Sequence, residues 1–128
     1  MHTAEELMGI GAKLVAFCNE GKEAECLNEL YASDAVSVEA APMPGHDSAE
    51  ARGLDAIRGK HDWWFGAHEV HKSEAEGPFV FGHDRFFVIF DLDVTNKESG
   101  ERVQMKDIGA YYVSDGKIVR EEFAYALG

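Results

Sequence analysis

The chain is poor in the residue types that carry several common functions. Cys18 and Cys26 are its only cysteines, too few for a disulfide framework. Both occupy apolar helical positions, so buried free thiols are expected. Basic residues are scarce: 12 Lys and Arg stand against 24 Asp and Glu, a formal net charge of −12. That excess repels phosphate backbones and anionic bilayers, so neither nucleic acid nor a membrane surface is an expected partner. Purely apolar runs such as Phe86 to Phe90 fall far short of the ~20 residues that span a bilayer. The first residues, Met1 to Lys13, lack the basic and apolar stretches of a secretory signal, and a cytoplasmic protein is expected. There is no phosphate-cradling glycine loop, no GxSxG, no dinucleotide fingerprint and no HExxH-like ligand spacing. Neither a metal nor an organic cofactor is therefore expected.

What is present suits one domain over residues 1–128, with 45% hydrophobic and 28% charged residues. Thr3 and Glu6 have capping-box spacing. Leu7, Ile10, Leu14, Phe17 and Cys18 then mark one helical face that Gly21 ends. Ala24, Leu27 and Leu30 mark a second, shorter helix. Ser33-Asp34 reads as a turn, and Ala35 to Glu39 alternates as a short strand. Ala40 to Arg52 holds Pro42, Pro44 and Gly45 and reads as a loop, long enough to form a lid or mouth. Gly53 to His68 is helical, with Leu54, Ile57, His61, Trp64 and His68 along one stripe and Ala56, Lys60, Trp63 and Ala67 along another. From Val70 the pattern is strands: Val70 to Glu76, Phe79 to Phe81 after Gly77-Pro78, Arg85 to Val94, Arg102 to Val113 and Lys117 to Ala126. Asn96 to Gly100 and Asp115-Gly116 supply hairpin turns. Helices first and a meander after them predict an α+β fold in the order α-α-β-α-β-β-β-β.

This order, together with Leu30-Tyr31-Ala32-x-Asp34-Ala35, Gly53-x-x-Ala56-Ile57 and Asp115-Gly116-Lys117-Ile118-Val119, resembles the SnoaL-like branch of the nuclear transport factor 2-like superfamily. Ketosteroid isomerases and polyketide cyclases are relatives. The resemblance spans nearly the whole chain and implies a cystatin-like cone: N-terminal helices packed on a curved antiparallel sheet around an apolar pocket. Fold does not fix chemistry in such a superfamily. Aligned on the isomerases, Glu39 falls where their general base stands. Their two oxyanion-hole donors fall on Val15 and near Gly109, so the chain lacks that hole. Asp107 lies two residues before Gly109, on the same strand face. The pocket aromatic of the last strand falls on Tyr125.

Three titratable residues are the catalytic candidates. Glu39 ends the first strand beside the loop, where an apolar pocket would raise it toward a working base. Asp107 faces inward if Met105 does, while the opposite parity puts Ile108 inward, and one bulge exchanges the two. His61 shares the stripe of Ile57 and Trp64, either as a satisfied core histidine or as a proton shuttle. Phe17, Trp64, Phe87, Phe123 and Tyr125 are candidate walls for a flat apolar ligand. Glu121 shares parity with Phe123 and Tyr125 but is expected at the surface in salt bridges. Two functions follow as expectations. One is an isomerase, cyclase or hydratase working without a cofactor on a neutral carbonyl-bearing or cyclic molecule. The alternative is a non-catalytic module that binds a small apolar or aromatic compound. Apolar residues on both faces of Phe86 to Leu92, and the resemblance, imply a homodimer through the sheet.

Overall fold

The structure is a computed structural model that describes residues 2–43 and 45–125. Helix α1 (Ala4–Asn19) starts where the sequence predicts: the Thr3 side chain accepts from the Glu6 N–H at 3.1 Å, and Glu5 and Glu6 occupy the first turn. Leu7 and Leu14 are its buried stripe. Between them Gly11 lets the helix settle on Pro78, because a Cβ there would lie 2.5 Å from Pro78 Cβ. Helix α2 (Glu23–Leu30) buries Cys26, Leu27 and Leu30 and runs without a break into β1 (Tyr31–Val38). Ser33 and Asp34, read as a turn, are thus inside a strand. That strand is irregular here, with a register shift between Tyr31 and Val36.

The segment read as one loop contains a short strand, β2 (Glu50–Arg52), paired antiparallel to β1. The Glu39 N–H also donates to the Ala49 carbonyl at 2.9 Å, closing the neck of the loop. Helix α3 (Leu54–Ala67) follows and leads into the long strands β3 (His68–Phe81), β4 (Arg85–Asn96), β5 (Arg102–Ser114) and β6 (Lys117–Tyr125). Gly77-Pro78 bends β3 with a register shift but does not divide it. The β5–β6 turn uses Asp115 and Gly116, both with positive φ, as a two-residue hairpin of this hand requires. Ala126, the expected end of the last strand, lies outside the described residues.

The six strands form one curved sheet in the order β2-β1-β6-β5-β4-β3. Helices pack on its concave face, an α+β layout. All pairs are antiparallel except β1–β6, which is parallel: the last strand enters between β5 and the first strand rather than ending at an edge. Phe86 and Val88 of β4, Tyr111 and Val113 of β5 and Ile118 of β6 face the helices and are buried. A bulge in β6 sets its faces. Val113 pairs with Ile118 but Tyr112 pairs with Arg120, so Val119 is the extra residue. Ile118 and Glu121 consequently face the same side. Asn19, at the end of α1, covers the outer edge of β3: its side chain donates to the Ala75 carbonyl at 3.1 Å and accepts from the Ala75 N–H at 2.7 Å. No described helix is long and apolar enough to cross a membrane.

Candidate functional site

Between the helices and the concave face lies a cavity of about 180 Å³, with walls from α1, α2, α3 and the sheet. Strand alternation aims Glu39 of the segment after β1, Asp107 of β5, and Glu121, Phe123 and Tyr125 of β6 at it. Helix α3 contributes Lys60, His61 and Trp64. The β5–β6 register brings Asp107 opposite Tyr125 and Gly109 opposite Phe123. Gly109 has a packing reason: a Cβ there would stand 2.8 Å from the Tyr111 ring and 3.1 Å from the Phe123 ring. Those two rings fill the space a larger residue at 109 would need.

A polar network crosses the wall. Glu121 is 1% exposed, and both its oxygens are held: Tyr31 OH donates to Oε1, and Ser37 Oγ donates to Oε2 at 2.6 Å. Lys60, 8% exposed, donates to Ser37 Oγ and lies 2.8 Å from Glu39 Oε1 and 3.8 Å from Glu121 Oε2. Its ammonium also sits 5.1 Å from the centre of the Phe123 ring. Tyr125 OH donates to Glu39 Oε2. One lysine thus joins two carboxylates, as buried charges require.

Asp107 stands outside this network. Its Oδ1 is buried and has no hydrogen-bond partner. Burial, and then the neighbouring Glu39 charge, push its pKa up to about 6. Burial also holds His61 below the usual histidine value, against the pull of Glu121 and with the help of Lys60. Burial, reinforced by Glu121, raises the phenols of Tyr31 and Tyr111 well above the ordinary range. Tyr125 is raised by burial and by its bond to Glu39. Desolvation pushes Cys18 up to about 12 and raises Cys26 as well, so both thiols are held protonated and poorly nucleophilic. Among the described residues no three metal-ligating side chains converge.

Of the residues singled out from sequence, the cavity brings together Glu39, His61, Asp107, Trp64, Phe123 and Tyr125. Phe17 and Phe87 are not part of it. Phe17 packs from α1 against the core. Phe87 points to the convex face beside Phe79, Phe81, Ile89 and Ile108, because its neighbours Phe86 and Val88 take the inward parity of β4. Glu121, expected at the surface, is the most deeply buried carboxylate of the wall. Lys60, Ser37 and Tyr31 were missed. The signals existed: Ala35, Ser37 and Glu39 share one strand parity, and Ile57, Lys60, His61 and Trp64 follow three- and four-residue steps. A lysine at such a step ordinarily reads as a solvated face.

The chain matches the SnoaL-like domain family over residues 3–125. A solved protein from Mesorhizobium loti, provisionally named a SnoaL-like polyketide cyclase, is 39% identical, with 91% of this chain and 97% of that one covered and a TM-score of 0.83. A nuclear transport factor 2-like protein from Burkholderia xenovorans is 17% identical over 98% of this chain and 93% of its own, TM-score 0.76. TerC, co-crystallised with polyporic acid, is 15% identical over 94% and 92%, TM-score 0.72. These last two likenesses concern the fold. No curated protein matches the chain. A family match across nearly every residue, on a curved sheet with helices closing a cavity, establishes that the chain belongs to the SnoaL-like family.

Proposed function

We propose that the cavity is a small-molecule site that moves protons, without a cofactor, on a neutral carbonyl-bearing or cyclic compound. The observation that carries this reading is Asp107: a carboxylate among aromatic walls, unpaired at Oδ1, with a pKa of about 6. A base of that strength is largely ionised at neutral pH yet basic enough to accept a proton. Asp107 takes a proton from the carbon next to the carbonyl, leaving an enolate and a neutral Asp107. Return of that proton to another carbon completes an isomerisation. Attack of the enolate on a second carbonyl, with the proton passing to the new alkoxide, closes a ring. Glu39 and Lys60 hold Tyr125 beside the base, and neutral His61 orients the substrate or relays a proton.

Cyclohexanone in deuterated buffer is a suitable probe. Wild-type protein is expected to speed exchange of its α-protons, read by NMR. Asp107→Asn should lower the rate by ~10²–10⁴-fold and Glu39→Gln should reduce it less. Full exchange in both variants would end the assignment. A second reading, a binding module without turnover, is favoured by one observation: the hydroxyls of Tyr31, Ser37 and Tyr125 all donate to the protein's own carboxylates, so none is free for an oxyanion. Saturable binding with no exchange selects it.

A homodimer through the convex face belongs to the same proposal. Phe79, Phe81 and Ile108 are exposed there, Phe81 at 62%, around a shallow apolar groove, the kind of patch a partner covers. The free thiols Cys18 and Cys26 support a reducing, cytoplasmic setting.

A further inference from the structure

The charges around the cavity narrow what it holds, given the reading of it as a small-molecule site. Its lining carries five charged residues. Helix α2 brings Glu23, the segment after β1 brings Glu39, α3 brings Lys60 and His61, β5 brings Asp107, and β6 brings Glu121 and Tyr125. Lys60 is the only lysine or arginine among these lining residues, and Glu39 and Glu121 already share it. His61 is held neutral by its burial. Glu23 and Asp107 therefore face the cavity with no further cation in its lining to pair with them. An entering anion meets repulsion that low-dielectric walls do little to screen. An enolate formed on a substrate leaves Asp107 neutral but still faces Glu23, and three of the wall hydroxyls, those of Tyr31, Ser37 and Tyr125, are engaged by carboxylates.

A substrate that carries its own positive charge meets neither difficulty. We propose that the cavity selects a single-ring ketone bearing a protonated amine, with the ammonium held by Glu23 and by the aromatic faces while Asp107 serves as base. The ammonium offsets the two unpaired carboxylates and then the developing enolate, the task a fixed oxyanion hole performs in other sites. Trp64, Phe65 and Phe90 line the cavity and supply aromatic surface suited to such a cation. Size agrees. A cavity of about 180 Å³ compares with the ~150 Å³ that accommodates benzene, which leaves room for one ring and a short substituent.

Three ketones of similar shape test this: 3-aminocyclohexanone, 3-methylcyclohexanone and 3-oxocyclohexane-1-carboxylate, titrated by NMR or calorimetry at pH 7.5. The amine is expected to bind about tenfold more tightly than the methyl compound and the acid about tenfold more weakly. Glu23→Gln, a half-buried position, should shrink the amine-to-methyl affinity ratio toward one. An amine no tighter than the methyl ketone, an acid that binds as well, or an unchanged ratio in Glu23→Gln overturns the proposal. The first two outcomes, with the methyl ketone still bound, leave the small-molecule reading standing. Failure of all three ketones to bind the wild-type protein removes both.

Discussion

Asp107 ties the chemistry of the cavity to the stability of the fold. Burial lifts its pKa from 3.8 to about 6, so between those values the folded chain holds a proton that the unfolded chain has released. Stability from this group is therefore present below pH 3.8, declines as pH rises through about 6, and stays low above it. Asp107→Asn is expected to raise the melting temperature at pH 8 and to leave it nearly unchanged at pH 4. Thermal melts at the two pH values check this, and an equal shift at both would contradict the assigned burial. Lys60 has the opposite character. Lys60→Met leaves Glu39 and Glu121 facing each other without a cation, a loss of about 3–5 kcal/mol that urea denaturation would register. An unchanged midpoint would mean that the two carboxylates do not depend on the lysine.

At the scale of elements, α1 offers a matched pair of tests. Gly9 has nothing within 4 Å of an added Cβ, whereas Gly11 would drive one into Pro78 and toward Phe86. Gly9→Ala should stabilise the protein by about 0.5–1 kcal/mol through helix propensity. Gly11→Ala should destabilise it by about 1–3 kcal/mol through overpacking. Denaturation midpoints moving in the same direction for both would refute the close approach of α1 to β3. Much of this layer was legible beforehand. Thr3 and Glu6 announced the start of α1, and Asp115-Gly116 announced the last hairpin. Periodicity found α3 and β4 to β6, and found β3 in two pieces, because Gly77-Pro78 reads as a break. It did not find β2, whose three residues are too few to alternate, or the parallel pairing of β1 with β6, because nothing local specifies a partner some ninety residues away. The same distance hid the buried network. Parity placed Glu121 with Phe123 and Tyr125, yet a carboxylate reads as exposed until Tyr31, Ser37 and Lys60 are known to meet it. Phe86 and Phe87 are indistinguishable as residue types, and only the register separates core from convex face. The face of Asp107 was open in the sequence for the same reason, and the unshifted β4–β5 register, with Asp107 opposite Phe90, settles it.

For the whole molecule, the two faces of the sheet have different fates. The concave face is consumed by helices and cavity, while the convex face leaves Phe79, Phe81 and Ile108 exposed on a chain of net charge −12. Two such chains repel at long range, so the proposed dimer should tighten with added salt. Sedimentation of the wild-type protein is expected to give a dimer at micromolar concentration, and Phe81→Lys a monomer of unaltered circular dichroism. A monomer for the wild type at both low and high salt would remove the dimer.

The position of β6 has a consequence for how the chain is made. The last of the six strands in chain order is inserted in the middle of the sheet, between β5 and the parallel β1. Until β6 leaves the ribosome, the first strand has only β2 to pair with, and Tyr31, Ser37 and Lys60 wait without Glu121. Closure of the sheet thus waits for β6, and the contacts that complete it are among the most distant in sequence, a topology associated with slow barrier crossing. A nascent chain stalled before Lys117 would expose an open sheet edge and half a cavity, a form suited to capture by chaperones.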